Sequence, residues 1–325
     1  MKRSQTIAFA IFVIVVIASC RKEELPVQKP DSGAVTTSVV NLGTAYKKTV
    51  YFDLGTNQNV GESNKLNWDL AFSCNSDQPY ITMNGGKVML AVKITNQTFE
   101  QITSSTMLST NGRADNATGA IQNMVIDGPG IYIIGKGMDF DGVDLGSFKM
   151  EVLEHDATKF VGRLANIDGS NEQTITLQKI SEYNYVYLNW NENGAISTPI
   201  IEPLKDSWDI VFTQYTEVFY EPDYMPYLVL GVLTNRHLVQ AILTTETNFE
   251  TLDLAQAEAL LFNENINNIG YSWKNYQFEQ GMYVIDYQKT FVIKDQEGYY
   301  YKLRFIDFYD QGGNKGNPTF EFQRL

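Results

Sequence analysis

Cysteine and histidine are scarce in this 325-residue chain. It has two cysteines, Cys20 and Cys74, and two histidines, His155 and His237. Cys20 lies in a segment that we expect to be processed, which leaves Cys74 without a partner for an internal disulfide. Neither cysteine has a second cysteine or a histidine at zinc-finger spacing, so the usual structural zinc sites are excluded.

Positively charged residues are fewer than acidic ones, and common catalytic motifs are absent from the sequence. The formal net charge is −13, which argues against a nucleic-acid partner because such proteins offer basic surfaces to phosphates. The chain has no Gly-x-Ser-x-Gly elbow, and Gly135-Lys136-Gly137 is too short for a phosphate loop. These absences favour a binding protein over an enzyme.

Carboxylates at 139, 141 and 144 resemble the start of a calcium loop. Such a loop needs a glutamate at its twelfth position, and Glu151 comes one residue too late. We therefore interpret this segment as a turn.

Only one long apolar run is present, at residues 7–17. It is too short for a permanent membrane helix, but Lys2 and Arg3 before it and Ala-Ser-Cys20 after it are typical of a secretory signal peptide. We predict a signal peptide over 1–19 and a lipid on Cys20, with an ordinary signal peptide and a chance cysteine as the alternative. Residues 20–39 are then a lipidated cysteine and a flexible linker.

The short charged stretch at 21–24 resembles a surface-export signal of Bacteroidota lipoproteins. A solvated tether is the simpler alternative. With the lipid, this stretch predicts a protein anchored to the outer membrane at the cell surface.

Aromatic residues are abundant, with 19 Tyr and 18 Phe, and such residues favour strands. The segment Trp-Asp-Leu-Ala-Phe at 68–72 recurs as Trp-Asp-Ile-Val-Phe at 208–212. We match 88–92 with 228–232, 130–134 with 281–285, and 160–163 with 301–304. The repeat predicts two tandem antiparallel β-sheet domains of one fold, over 40–180 and 181–325.

Each domain is expected to hold at most one short helix. In the second domain, Asp253 and Gln256 form a capping-box pattern before a segment that runs to Phe262. The corresponding segment 103–119 is rich in Ser, Thr, Asn and Gly and is predicted as a loop. Residues 295–298 are predicted to close a hairpin. Trp208 is expected to pack in the core.

Several segments of the second half resemble the HmuY family of haem-binding lipoproteins of the Bacteroidota. They are Ser-Trp-Asp-Ile-Val-Phe at 207–212, Pro-Tyr-Leu-Val at 226–229, Ile-Gly-Tyr-Ser-Trp-Lys at 269–274, and the aromatic block 298–309 with its sequel 316–323. The resemblance implies an all-β fold, haem as cofactor, and work beside a TonB-dependent receptor.

Family members ligate haem iron through paired histidines or methionines, and no histidine pair is present in this chain. The resemblance therefore implies other donors, and the haem-binding candidates are Met282, Met225, His237 and Tyr224. Each could instead be a structural residue. The alternative function is a lipoprotein of the same fold that binds another ligand or a protein partner without haem ligation.

Overall fold

Runs of alternating apolar and polar residues fold into antiparallel strands in this chain. The computed structural model describes residues 32–74, 79–191, 193–245 and 247–325. The predicted signal peptide, Cys20 and most of the predicted linker lie outside the described residues. Residues Gly33–Leu325 form one compact unit.

Twenty strands and two short α-helices make up the described regular structure, with three 3₁₀ turns. The strands of the first half are β1 (Thr36–Val39), β2 (Lys48–Asp53), β3 (Gln58–Asn64), β4 (Leu70–Ser73), β5 (Ile81–Met83), β6 (Leu90–Ile94), β7 (Gly130–Gly135), β8 (Ser147–His155), β9 (Lys159–Asn166) and β10 (Gln173–Gln178). Those of the second half are β11 (Tyr185–Trp190), β12 (Ile196–Ser197), β13 (Ile210–Phe219), β14 (Met225–Thr234), β15 (Gln240–Thr244), β16 (Lys274–Gln277), β17 (Met282–Ile285), β18 (Thr290–Lys294), β19 (Tyr300–Tyr309) and β20 (Lys315–Arg324). The helices are α1 (Leu108–Asn111) and α2 (Leu254–Glu258). The predicted mainly-β class is therefore confirmed.

Two lobes arise from the strand pairing. The first lobe contains the sheets β12-β11-β4-β5 and β10-β9-β8-β7-β6. The second lobe contains the sheets β14-β13-β2-β3 and β1-β20-β19-β18-β15, together with the hairpin β16–β17. Each lobe encloses its own aromatic core, centred on Trp190 and Phe148 in the first and on Trp273 and Phe305 in the second.

The two halves of the chain exchange their opening strands. Strand β2 pairs with β13 of the second half, and β11 pairs with β4 of the first half. Strand β1 likewise pairs with β20, although residues 36–39 fall within the predicted linker. The division at 180/181 stays a prediction about the duplicated sequence, because sheets of both lobes combine strands from either side of it.

The exchanged strands bring a tryptophan and a tyrosine together at equivalent positions of the two lobes. Trp208 meets the ring of Tyr51 edge-on with centroids 4.9 Å apart, and Trp68 meets Tyr187 in the same way at 5.1 Å. Trp208 is thus buried, as predicted, and Trp68 is partly buried. Each packs on a tyrosine from the other half of the chain.

Strand pairing also corrects three of the matched segments. Strands β5 and β14 both pair with the Trp-Asp strand of their lobe, so β14 is equivalent to β5, and β6 to β15. Strand order makes β7 equivalent to β18 and β8 to β19. The matches of 88–92, 130–134 and 160–163 are therefore wrong, because alternating strands resemble one another in composition whatever their partners.

The hairpin β16–β17 is an addition to the second lobe. Residues 95–129, which connect β6 to β7 and are all described, hold no strand pair. The corresponding connection from β15 to β18 carries β16–β17. Met282 on this hairpin consequently has no counterpart in the first lobe.

The predicted helix forms, with the Asp253 side chain and Gln256 in a reciprocal capping box. It ends at Glu258, four residues early, and Phe262 packs beyond it against Tyr300. The predicted loop 103–119 contains α1, so that prediction was wrong at 108–111. Residues 295–298 join β18 to β19 as a hairpin. Within the described chain, no helix is long and apolar enough to cross a membrane.

Candidate functional site

Met225 lies at the far end of the long hairpin formed by β13 and β14. It pairs with Phe219, and Tyr227 pairs with Glu217. Residues directly opposite in an antiparallel pair share a face of the sheet, so Phe219, Met225 and Tyr227 lie on one face. About half of Met225 is exposed to solvent (49 %).

Met282 begins the second strand of the added hairpin. Its neighbour Tyr283 turns inward and packs on Phe308 with ring centroids 5.1 Å apart. Successive side chains of a strand point to opposite faces, so Met282 faces away from the core and is 43 % exposed. The expectation that it could be a buried core residue does not hold.

Backbone contacts attach the approach to β16 onto β14. The amide of Gly270 donates to the carbonyl of Val232 at 3.0 Å, and the reverse bond is 2.9 Å long. A Cβ at Gly231 would lie 2.5 Å from the carbonyl oxygen of Gly270, so only glycine permits this approach. Burial raises the pKa of Tyr283, and the neighbouring Tyr227 of the β13–β14 hairpin adds to this shift. We call residues 219–227 and 274–285 the methionine region.

Exposed apolar side chains are concentrated in the methionine region. They are Phe219, Tyr220, Met225, Tyr227, Tyr276, Phe278, Met282 and Val284. Phe278 at the turn between β16 and β17 is 89 % exposed. Such a concentration of exposed apolar surface is typical of an interaction site.

Tyr224 fastens the end of β13–β14 to the first lobe. Its hydroxyl accepts a hydrogen bond from the amide of Ala114 at 2.7 Å. The guanidinium of Arg113 lies 4.6 Å from the centre of its ring. The phenol oxygen of Tyr224 thus already accepts one hydrogen bond, and a role of Tyr224 at haem iron stays a prediction.

Lys274 is a buried amine at the base of the added hairpin. Its Nζ donates to the carbonyl of Leu230 at 2.6 Å and lies 4.1 Å from the centre of the Trp273 ring. Burial lowers the pKa of Lys274 to about 7. No sequence pattern reveals this buried amine, because Lys274 begins a strand whose other members are exposed.

His237 lies outside the methionine region and lines a cleft of about 1120 Å³. The cleft is also lined by Cys74, Lys179, Lys205 and Arg236. Nε2 of His237 lies 3.0 Å from Oδ1 of Asp206. Burial, together with the charge of Lys205, lowers the pKa of His237, so this contact is a hydrogen bond of a neutral ring at pH 7. The four predicted residues thus fall at two sites, with Met225, Met282 and Tyr224 in the methionine region.

The family assignment follows from a comparison with protein-family models. The model of the HmuY protein family matches residues 45–187 and 257–322, which together are more than half of the chain. This chain belongs to the HmuY family. One HmuY model takes in segments from both halves, so the family similarity extends to the first half as well.

Some of the predicted haem-binding residues lie inside the segments matched by the HmuY model, and others lie outside them. The HmuY match includes Met282 and the whole of β16–β17. Residues 188–256 fall between the matched segments, and they hold Tyr224, Met225 and His237. The added hairpin is therefore the part of the methionine region that the HmuY model covers.

Solved structures with similar chains include three of interest. The apo HmuY analogue of Tannerella forsythia is 13 % identical, with 92 % of this chain and 98 % of that chain covered and a TM-score of 0.36. Apo PinO from Porphyromonas gingivitis is 11 % identical, with 90 % and 97 % covered and a TM-score of 0.35. A HmuY-like heme binding protein from Bacteroides vulgatus is 11 % identical, with 89 % and 90 % covered and a TM-score of 0.24. No curated protein sequence matches the chain.

His155 is a packing residue in this HmuY-family chain. Its ring meets Phe72 and Phe160 edge-on, with centroids 6.3 and 6.0 Å away. Burial lowers its pKa to about 4. A ligand role at this position has no support from its surroundings.

The carboxylates near residue 140 form a turn, as predicted. Oδ1 of Asp139 accepts hydrogen bonds from the amides of Asp141 and Val143, both at 2.8 Å. Glu151 instead lies on β8 and faces Arg163. In the described ranges no group of three or more His, Cys, Asp or Glu residues is arranged to hold a metal ion.

Proposed function

We propose that this HmuY-family protein binds haem or a related porphyrin in the methionine region, with Met225 and Met282 as the axial iron ligands. Its role would be to carry haem at the outer membrane for uptake. The observation that carries this proposal is the placement of two partly exposed thioethers on two hairpins of a HmuY-family chain. Thioether sulfur is an established haem ligand in proteins.

The surroundings of the two methionines support the same ligand. A porphyrin is flat and apolar over most of its area, and aromatic side chains bury such a surface at low cost in conformational entropy. Phe219, Tyr227 and Tyr276 are exposed nearby and supply that contact area. Tyr224 would hold Met225 in position through Ala114.

A haem titration followed by the Soret band tests this proposal. The wild type should give a saturable shifted band, and Met225→Ala or Met282→Ala should each weaken binding at least tenfold, because one axial bond is lost. Met138→Ala is the matched control, since Met138 is 46 % exposed in the turn between β7 and β8. His237→Ala should also leave binding unchanged.

Two results would reject the methionine assignment. If the wild type gives no spectral change in either iron redox state, the protein does not ligate haem. If His237→Ala abolishes the band while both methionine variants retain it, the haem lies in the cleft that His237 lines.

A second candidate function is docking on a protein partner, such as a TonB-dependent receptor. Phe278 favours it, because this side chain meets the ring of Tyr276 edge-on and still leaves 89 % of its surface exposed at a hairpin turn. Phe278→Ser should reduce haem transfer to the receptor in membranes and leave haem affinity unchanged. Equal transfer by both proteins would reject this function.

The membrane anchor is a further part of the proposal. Lipid attachment at Cys20 would keep the protein on the outer membrane. Cys20→Ala should abolish incorporation of labelled palmitate and release the protein from the membrane fraction. Labelling that survives this substitution would place the lipid elsewhere.

A further inference from the structure

Asp69 and Asp209 are the aspartates of the repeated Trp-Asp pairs, and the two lobes hold them in the same backbone setting. Oδ2 of Asp69 accepts a hydrogen bond from the amide of Trp190, at the end of β11, at 2.7 Å. Oδ2 of Asp209 accepts one from the amide of Leu54, directly after β2, at 2.8 Å. The two carboxylates are therefore equivalent, and their surroundings can be compared side by side.

The first lobe supplies a cation to the second oxygen of its carboxylate. Oδ1 of Asp69 lies 2.7 Å from Nζ of Lys87, and both side chains are almost fully enclosed. A second buried ammonium group, that of Lys136, donates to the carbonyl of Trp190 at 2.6 Å. The first lobe thus surrounds its buried carboxylate with positive charge.

The turn that carries Lys87 is one residue shorter in the second lobe. Asn84 and Asn235 begin the two turns, and each donates to the carbonyl of the tryptophan in the Trp-Asp pair of its lobe. Each turn ends in a left-handed residue, Val88 with φ +59° or Leu238 with φ +64°. Three residues separate Asn84 from Val88, but two separate Asn235 from Leu238. No residue of the shorter turn corresponds to Lys87.

Asp209 consequently keeps one carboxylate oxygen without a partner. Its side chain is buried, with 3 % of the residue surface exposed. Oδ1 has no hydrogen-bond partner among the described residues, yet it is not one of their unpartnered atoms that are closed to solvent. Both side chains of the short turn are engaged elsewhere, Arg236 with the carbonyl of Gly119 and His237 with Asp206. Because an unpaired buried charge is costly, a cation from solution would be stabilised at Oδ1.

Other carboxylates near Asp209 strengthen the preference for a cation. The pKa of Asp209 is raised by burial and, in addition, by the charges of Asp53, Asp295 and Glu297. Asp295 directly follows β18, as Lys136 directly follows the equivalent strand β7. Asp295 and Glu297 also line the cleft of about 1120 Å³, which gives a cation a route to this acidic position.

We propose that Oδ1 of Asp209 binds the ammonium group of a small primary amine, in the place that Nζ of Lys87 takes beside Asp69. An ammonium group forms a charge-assisted hydrogen bond with a single carboxylate oxygen and has two further donors. A hard metal ion would need several oxygen ligands, and the described residues hold no group of three arranged for one. This amine site lies outside the methionine region and is independent of haem binding.

Thermal unfolding of the purified protein in methylammonium chloride tests the proposal. Tetramethylammonium chloride at the same ionic strength is the comparison, because that cation has the charge without N–H donors. At pH 8 Asp209 is mostly ionised, since its pKa is about 7. A ligand that binds only the folded state raises the midpoint of unfolding, so the midpoint should be at least about 2 °C higher in methylammonium.

Two variants remove the site in different ways. Asp209→Asn keeps an acceptor for Leu54 and should abolish the difference between the two salts. Insertion of a lysine after His237 restores the turn length of the first lobe and supplies an internal ammonium group. The inserted protein should lose its response to methylammonium and unfold at a higher temperature than the wild type in tetramethylammonium. Asp223→Asn, at an exposed position, is the matched control and should respond as the wild type does.

Equal midpoints of the wild type in the two salts would overturn the proposal. A wild-type response in Asp209→Asn would overturn it as well, because the amine would then bind elsewhere. If Asp209→Asn does not unfold cooperatively, the variant with the inserted lysine decides, and a full response to methylammonium in that protein contradicts the assigned site.

Discussion

Lys87 forms a buried ion pair with Asp69 in the first lobe, with Nζ 2.7 Å from Oδ1 and both side chains almost fully enclosed. Asp69 also accepts from the amide of Trp190 at 2.7 Å. Asp209 holds the equivalent place in the second lobe and accepts from the amide of Leu54 at 2.8 Å. In the described ranges, however, no lysine or arginine pairs with Asp209.

Removal of Lys87 should therefore destabilise the protein severely. Lys87→Met leaves the Asp69 carboxylate buried without its cation, which costs about 3–5 kcal/mol in comparable cases. Urea unfolding at pH 7 measures the change. Lys48→Met is the control, because its pair with Glu62 is about half exposed and such pairs contribute at most about 1 kcal/mol. Equal losses for the two variants would contradict the assigned role of Lys87.

Asp209 without a cation should make stability depend on pH. Burial raises its pKa from 3.8 to about 7, so between pH 4 and pH 7 the native state binds more protons than the unfolded state. The free energy of unfolding then falls as pH rises through this window. Burial likewise raises the pKa of Glu202 to about 7, which adds to the same slope.

Asp209→Asn should flatten this dependence, because asparagine keeps an acceptor oxygen for Leu54 and has no proton to lose. Urea unfolding between pH 4.5 and pH 8 compares the slopes. Asp223→Asn, at an exposed position of the β13–β14 turn, should keep the wild-type slope. An unchanged slope in Asp209→Asn would show that this carboxyl does not titrate in the window.

Lys274 should make the free energy of unfolding rise with pH, in a higher pH window than that of Asp209. Its pKa falls from 10.5 to about 7 on burial, so between pH 7 and pH 10 the unfolded state binds more protons. Stability then rises with pH over that window. Lys274→Met should abolish the rise and increase stability at pH 7, whereas Lys48→Met should leave the rise in place. If the stability of Lys274→Met still rises with pH as in the wild type, titration of Lys274 is not the cause of that rise.

Much of the fold was predictable from local patterns. Asp253 with Gln256 predicted a capped helix, and residues 295–298 predicted a hairpin, because each signal lies within a few neighbouring residues. The repeated Trp-Asp pair correctly indicated equivalent positions. Strand exchange was not predictable, since the choice of β13 rather than β4 as the partner of β2 depends on contacts about 160 residues away.

The site was predictable only in part. Met225 and Met282 were candidates because thioethers can ligate haem iron, and both side chains are partly exposed. Met282 was matched with Ile131 of the first half, and only the strand pairing reveals that its hairpin is an addition. Lys274 has no local signal, because its burial comes from segments distant in sequence.

The exchange of opening strands predicts how fragments behave. Residues 181–325 alone lack β1–β3, so β13 and β20 would each lose a partner strand and expose core residues such as Phe212 and Phe320. This fragment should not unfold cooperatively by itself. Mixed with residues 33–180, it should form a folded one-to-one complex. A cooperatively folded 181–325 fragment would show that the second half is an independent domain.

The position of haem iron tests the central claim most directly. Anomalous diffraction at the iron edge, from crystals of the protein grown with haem, locates the metal without reference to the porphyrin density. We predict one strong iron peak between the sulfur atoms of Met225 and Met282. A peak beside His237 in the cleft, or no ordered iron at saturating haem, would contradict the account.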